Sequence, residues 1–163
     1  MQTIRLVVAT AVALAIAAPA HAQIDTPPPP LMGQPSYHSY SVPGVIAGGG
    51  LGTFFSCTNT TAANIRVGVE LFGPAGGATY NDASASSLDL GPSATVIFGT
   101  SSAVGISISS NLGGFSSKGA ARILATARKG IMCTAFLADV SNAPPASMTY
   151  LTIISKLKQK AAN

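Results

Sequence analysis

The sequence predicts an all-β protein built as an antiparallel sandwich, and three observations carry that prediction. Apolar and polar residues alternate with period two in run after run beyond residue 42, which is what a strand with one buried and one wet face requires. Clusters of Gly, Pro and Asn cut these runs at short intervals, supplying the positive φ and fixed φ that turns demand. Only 9% of the residues are charged, too few for a helix bundle rich in Glu, Lys and Arg, and the high apolar content argues against disorder.

The chain opens with Met1-Gln2-Thr3-Ile4-Arg5, an uncharged apolar run from Leu6 to Ala18, and Ala20-His21-Ala22. A basic start, a short apolar core and an A-x-A end predict a secretory signal peptide over 1–22. The apolar run is shorter than the roughly 20 residues that span a bilayer, and no second such run follows. Gln23 offers no thiol for a lipid. The expected product is exported, to the periplasm or the medium, with no transmembrane segment in the mature chain.

Residues 23–41 read as a Pro-rich N-terminal arm. Pro27 to Pro30 favour polyproline II, and Gly33 and Pro35 keep the chain from helix. The β-sandwich domain is expected over 42–160, with seven to nine strands near 42–47, 51–59, 64–72, 86–90, 94–99, 103–109, 121–127, 130–138 and 148–158. Ile65, Val67, Val69 and Leu71 share one face of the third, with Arg66, Gly68 and Glu70 on the other. Val104, Ile106 and Ile108 alternate with Gly105, Ser107 and Ser109. The Ala-rich stretch 120–128 could compete as a helix, but Gly119 and Gly130 bracket it too closely. Leu151, Ile153 and Leu157 alternate with Tyr150, Thr152, Lys156 and Lys158, with Ile154 out of phase.

Cys57 and Cys133 are the only cysteines. In an exported chain an even pair predicts one inter-strand disulfide, and two distant thiols lack the spacing of a zinc site.

Cys57-Thr58-Asn59-Thr60-Thr61 followed by Asn64 to Leu71, and Leu88-Asp89-Leu90-Gly91-Pro92-Ser93 followed by Ala94 to Phe98, resemble strands and turns of secreted bacterial immunoglobulin-like modules. The resemblance covers about a third of the mature chain and lacks the buried tryptophan of true immunoglobulin domains, since the chain has no Trp. It implies an immunoglobulin-like sandwich whose cystine crosses between sheets. The whole chain also looks like small exported bacterial proteins of unassigned role, and neither likeness brings an active site.

Groups for chemistry are scarce. Beyond the leader His38 is the sole histidine, and it lies in the arm, where no His–Ser or His–Cys pair on a rigid scaffold is expected. A hydrolase would need two carboxyls across a cleft; Asp82 and Asp89 could meet only if their loop folds back. No phosphate loop occurs, because the glycine runs lead into strands. No metal or other cofactor is expected, and nucleic acid is a poor partner without aromatics interleaved among bases. Residues 23–117 hold one base against four acids, whereas Lys118, Arg122, Arg128, Lys129, Lys156, Lys158 and Lys160 face Asp139 alone. These seven form a candidate anion-binding patch or, more commonly for such a modest net charge, a solubilising edge and tail. The expected function is non-catalytic: a structural, adhesive or envelope-associated module whose partner is a protein, or else a basic module on an anionic envelope polymer. The 148–158 strand is the docking edge to test first, although its basic residues read more readily as gatekeepers against self-pairing.

Overall fold

A computed structural model describes residues 26–76, 79–113 and 118–156. They form ten strands: β1 (Tyr37–Ile46), β2 (Leu51–Asn59), β3 (Ile65–Phe72), β4 (Leu88–Leu90), β5 (Thr95–Gly99), β6 (Ser110–Asn111), β7 (Lys118–Ala125), β8 (Ile131–Asp139), β9 (Met148–Tyr150) and β10 (Ile154–Ser155). One five-stranded sheet has the order β10-β1-β7-β3-β4, the other β6-β5-β2-β8-β9. All pairings are antiparallel except β5 with β6.

The two sheets share one core. Val42, Val45, Val67, Val69, Leu71 and Ile123 from the first meet Phe55, Cys57, Phe98, Ile131, Cys133 and Ala135 from the second. Odd-numbered residues of β3 and β7 point inward, as period-two alternation requires. In β1 the period breaks. Its register with β7 shifts between Pro43 and Val45, and Gly44 in the gap has φ 76°. That bulge lets Val42 and Val45 both face inward although three residues apart. Asn59, fully buried, ties the layers at one end: its Nδ2 donates to the carbonyls of Ala63, Leu90 and Gly91, and its Oδ1 accepts from Thr61.

Several expectations need correction. The segment 103–109 is not a strand, although its alternation is regular; Val104 is 72% exposed. Its contacts explain why. Gly105 abuts Asn142, Ala143 and Pro145, while Ile108 lies against Gly99, so the segment drapes across loops rather than extending a ladder. The final run 148–158 is not one strand either. β9 pairs with β8, β10 pairs with β1, and Leu151 and Ile153 between them pack on the common core. Ile154, the residue out of phase, lies where the chain has changed sheets. Residues 120–125 are strand, as expected, within β7.

The arm is corrected as well. β1 begins at Tyr37, so the last five residues assigned to the arm belong to the sheet. Leu31 is completely buried with Ala83 and Leu124. This second, smaller core lies outside the first sheet.

Cys57 and Cys133 are bonded. They are direct partners on β2 and β8, with Cα atoms 4.1 Å apart, a separation typical of the close pair sites of an antiparallel ladder. The bridge is therefore inter-strand within one sheet, not between sheets as the immunoglobulin resemblance implies.

Candidate functional site

The outer face of the first sheet carries a cavity and most of the buried polar chemistry. Glu70 on β3 and Arg122 on β7 are register partners, so their side chains emerge side by side. Both are buried, with Arg122 1% exposed, and the Arg122 Nε donates to Glu70. Arg122 Nη1 also donates to the Thr26 carbonyl at 2.6 Å, and its guanidinium lies 5.4 Å from the Phe72 ring centre. Thr26 belongs to the arm, so the arm both covers this ion pair and satisfies it.

The 80–87 loop supplies the rest of the cover. Asn81 Oδ1 accepts from Leu71 N–H and its Nδ2 donates to the Val69 carbonyl, standing in for a neighbouring strand beside β3. Gly68 leaves room for both coverings: a Cβ there would sit 2.8 Å from the Ala83 carbonyl oxygen and 2.9 Å from Leu31 Cδ2.

Between arm and loop lies an open cavity of about 430 Å³ lined by Pro29, Glu70, Tyr80, Asn81 and Asp82. It brings two carboxylates to one cleft, but not the expected two. Asp89 sits on β4 and pairs with Arg66. Asp82 Oδ1 accepts from the Ser84 and Ala85 N–H groups and shapes its own turn, while Glu70 is held by Arg122. General acid–base work needs a carboxyl left available to substrate. Here Glu70 is paired with a cation, and Asp82, exposed, gives one carboxylate oxygen to the backbone of its own turn.

His38 is placed differently from the expectation too. It lies on β1, and its Nε2 is 2.9 Å from Ser41 Oγ. A His–Ser contact thus exists on a strand, yet neither residue lines either described cavity.

Of the seven expected anion-binding residues, the five described are not gathered in one place. Arg122 is withdrawn into the buried pair. Lys118 is exposed at the start of β7, about 23 Å along the strand from its other end at roughly 3.3 Å per residue. Arg128 and Lys129 lie together in the turn after β7, with the Arg128 guanidinium 4.5 Å from the Tyr37 ring centre. Lys156 follows β10, which pairs with β1. Lys158 and Lys160 lie outside the described residues.

The outer face of the second sheet is of another kind. Phe54, Phe136 and Tyr150 occupy successive register positions on β2, β8 and β9. Phe54 stacks on Phe136 at 5.4 Å, and Phe136 meets Tyr150 edge-on at 6.5 Å. Met132, Met148 and Tyr150 are 61%, 57% and 71% exposed. Ser56, Thr58, Thr95 and Thr134 complete the face, which carries no charge. At its end Asp139 organises the 139–146 loop, accepting from Asn142 Nδ2, Ser141 N–H and Ala146 N–H. Those bonds, that of Asn142 foremost, hold the Asp139 carboxyl below its ordinary value.

Among the described residues no helix is long and apolar enough to cross a membrane, and no three His, Cys, Asp or Glu side chains gather as metal ligands. Comparison with protein-family models, curated proteins and solved structures finds no match. Function must be argued from the geometry.

The sequence hid two features of this site. Burial of the outer Glu70–Arg122 pair had a signal in the run Ala121 to Ala125, where apolar Leu124 occupies an outward position; strands covered on both faces lose their alternation. A second register shift of β1 against β7, between His38 and Tyr40 with Ser39 in the gap, has no such signal.

Proposed function

We propose that this chain is an exported, non-catalytic binding module with an immunoglobulin-like sandwich, and that it recruits an extended, uncharged segment of a partner protein to the β9 edge. The carrying observation is the uncharged aromatic and methionine face that ends at that edge. β9 is the last strand of its sheet, all three of its residues are exposed, and none is charged. The lysine gatekeepers that usually blunt an edge are missing from it.

Register supports the same reading. Leu151 N–H donates to the Ala135 carbonyl and Asp139 N–H to the Ser147 carbonyl. Alternation of bonded and non-bonded pairs then turns the backbone groups of Met148 and Tyr150 away from β8. An added strand would bond to them and lay alternate side chains beside Met148 and Tyr150. A charged segment would gain nothing on a face without charge. The cystine suits an oxidising compartment.

Retention of envelope proteins on the immobilised module tests this. Binding is expected to persist through a salt series and to disappear in Tyr150→Pro, which removes an outward N–H without touching the bonds to β8. Retention that falls steeply with salt and ignores Tyr150→Pro would instead favour an anionic polymer as partner.

A further inference from the structure

A small pocket lies where β1, the β7–β8 turn and β10 come together. Its volume is about 100 Å³, and it is lined by Ser39, Tyr40, Arg128, Lys129, Ile131 and Ser155, with Gly130. That is room for a few waters or one small ion, well below the 300 Å³ or more of a drug-sized site.

Ser39 is the informative residue. His38 pairs with Leu124 and Tyr40 pairs with Ile123, so Ser39 is the extra residue of a bulge. Bulges redirect a side chain out of the regular alternation. The residue is 6% exposed, and its Oγ is buried with no hydrogen-bond partner. A buried hydroxyl without a partner is rare in folded proteins and needs an explanation.

The surroundings define what the missing partner would be. The two charged side chains in the wall are Arg128 and Lys129, and no carboxylate lines it. Neither is ion-paired to a described residue. Stacking on Tyr37 fixes the Arg128 guanidinium. Tyr40 is committed elsewhere, since its hydroxyl donates to the Ile131 carbonyl at 2.8 Å and burial pushes its phenol above the usual value. The wall thus offers two cations and the hydroxyls of Ser39 and Ser155, an arrangement that repels a metal ion and favours an acceptor with several oxygens.

We infer that this pocket binds a tetrahedral oxyanion, a phosphate or sulfate group, with Arg128 and Lys129 supplying charge and Ser39 donating its otherwise unpartnered hydroxyl. The inference is independent of the β9 edge, because no residue is common to the two sites.

Inorganic phosphate and sulfate, titrated into the full chain at constant ionic strength against chloride, provide the test by calorimetry and by amide shifts of residues 128–130. Saturable binding is expected with phosphate or sulfate and not with chloride. Ser39→Ala should weaken it about tenfold or more, the usual effect of losing one hydrogen bond to a charged group. Arg128→Gln and Lys129→Gln, both at exposed turn positions, should weaken it at least as much, and Lys118→Gln should leave it unchanged. Glycerol phosphate separates the sources: equal affinity points to an esterified phosphate on a polymer, and loss of affinity points to the free ion. Equal responses to chloride and phosphate, or unaltered binding in both Arg128→Gln and Lys129→Gln, would overturn the inference and leave a water pocket. Tyr150→Pro should leave phosphate binding intact, so failure here and failure at the β9 edge are distinguishable.

Discussion

The two sheets turn opposite kinds of outer face to their surroundings. On the first, the chain covers itself: the 26–36 arm and the 80–87 loop bury Leu31, Ala83, Leu124 and an Arg–Glu pair. On the second, Phe54 is buried with its ring beside Gly52 and Gly99, Tyr150, Met132 and Met148 stay open, and the extra tie is a covalent bond between neighbouring strands. In the chain-entropy description a bridge across 76 residues contributes about 4.5 kcal/mol by restricting the unfolded chain. The first face is thus closed by the protein's own residues, while the second is closed around Phe54 and open at the β9 edge. Substitutions on the first should cost stability, and those on the second should cost recognition.

The largest effect expected is at the buried pair. Glu70→Ala leaves the Arg122 charge without its carboxylate and should cost about 3–5 kcal/mol, read from urea unfolding. A loss under 1 kcal/mol would mean that the arm does not seal this face. Next comes Leu31→Ala, which empties the centre of the small outer core. It should cost about 2–4 kcal/mol and speed hydrogen exchange in the arm and the 80–87 loop before the β2–β8 ladder. Uniform acceleration across both sheets would break the proposed asymmetry.

On the open face, Met148→Ala should change unfolding free energy by less than about 1 kcal/mol, because the side chain is largely solvated. A larger loss would show the face to be structural. The smallest effect concerns the border of that face. Hydrogen bonds lower the Asp139 pKa from an ordinary 3.8, so its ionised form favours the folded loop at pH above that value. This preference fades as pH falls through the lowered folded pKa. Amide signals of Ser141 and Ala146 should therefore shift or broaden in acid below about pH 4, while those of β2 and β8 stay fixed. Unchanged signals down to pH 2 would remove Asp139 as the organiser of the loop.

Much of this fold could be read from residue order. β2, β3, β5, β7 and β8 lie within two or three residues of their expected positions, because each has one inward face of apolar side chains and a turn at either end. The cystine was legible from two cysteines in a chain whose first 22 residues read as an export leader. Its placement was not, since pairing within a sheet or between sheets depends on which strands become neighbours. Period two misled at 103–109, where Gly105 abuts the 142–145 loop, Ile108 lies against Gly99 and Val104 stays exposed, with no ladder formed. It misled again at 148–158, because a strand that crosses from one sheet to the other keeps its inward residues in phase. The candidate sites were the least legible. Arg122 looks like any surface cation until the arm is folded over it, and Ser39 gains its position only from a register shift created by tertiary pairing.

One consequence follows from the order in which strands find partners. β1 is bonded to β7 and β10, and β2 to β5 and β8, so the earliest strands pair with segments made much later, and Leu151 and Ile153 seal the interior last. An emerging nascent chain has no local hairpin in which to store its first two strands. It can close this interior only once Leu151 and Ile153 have left the ribosome.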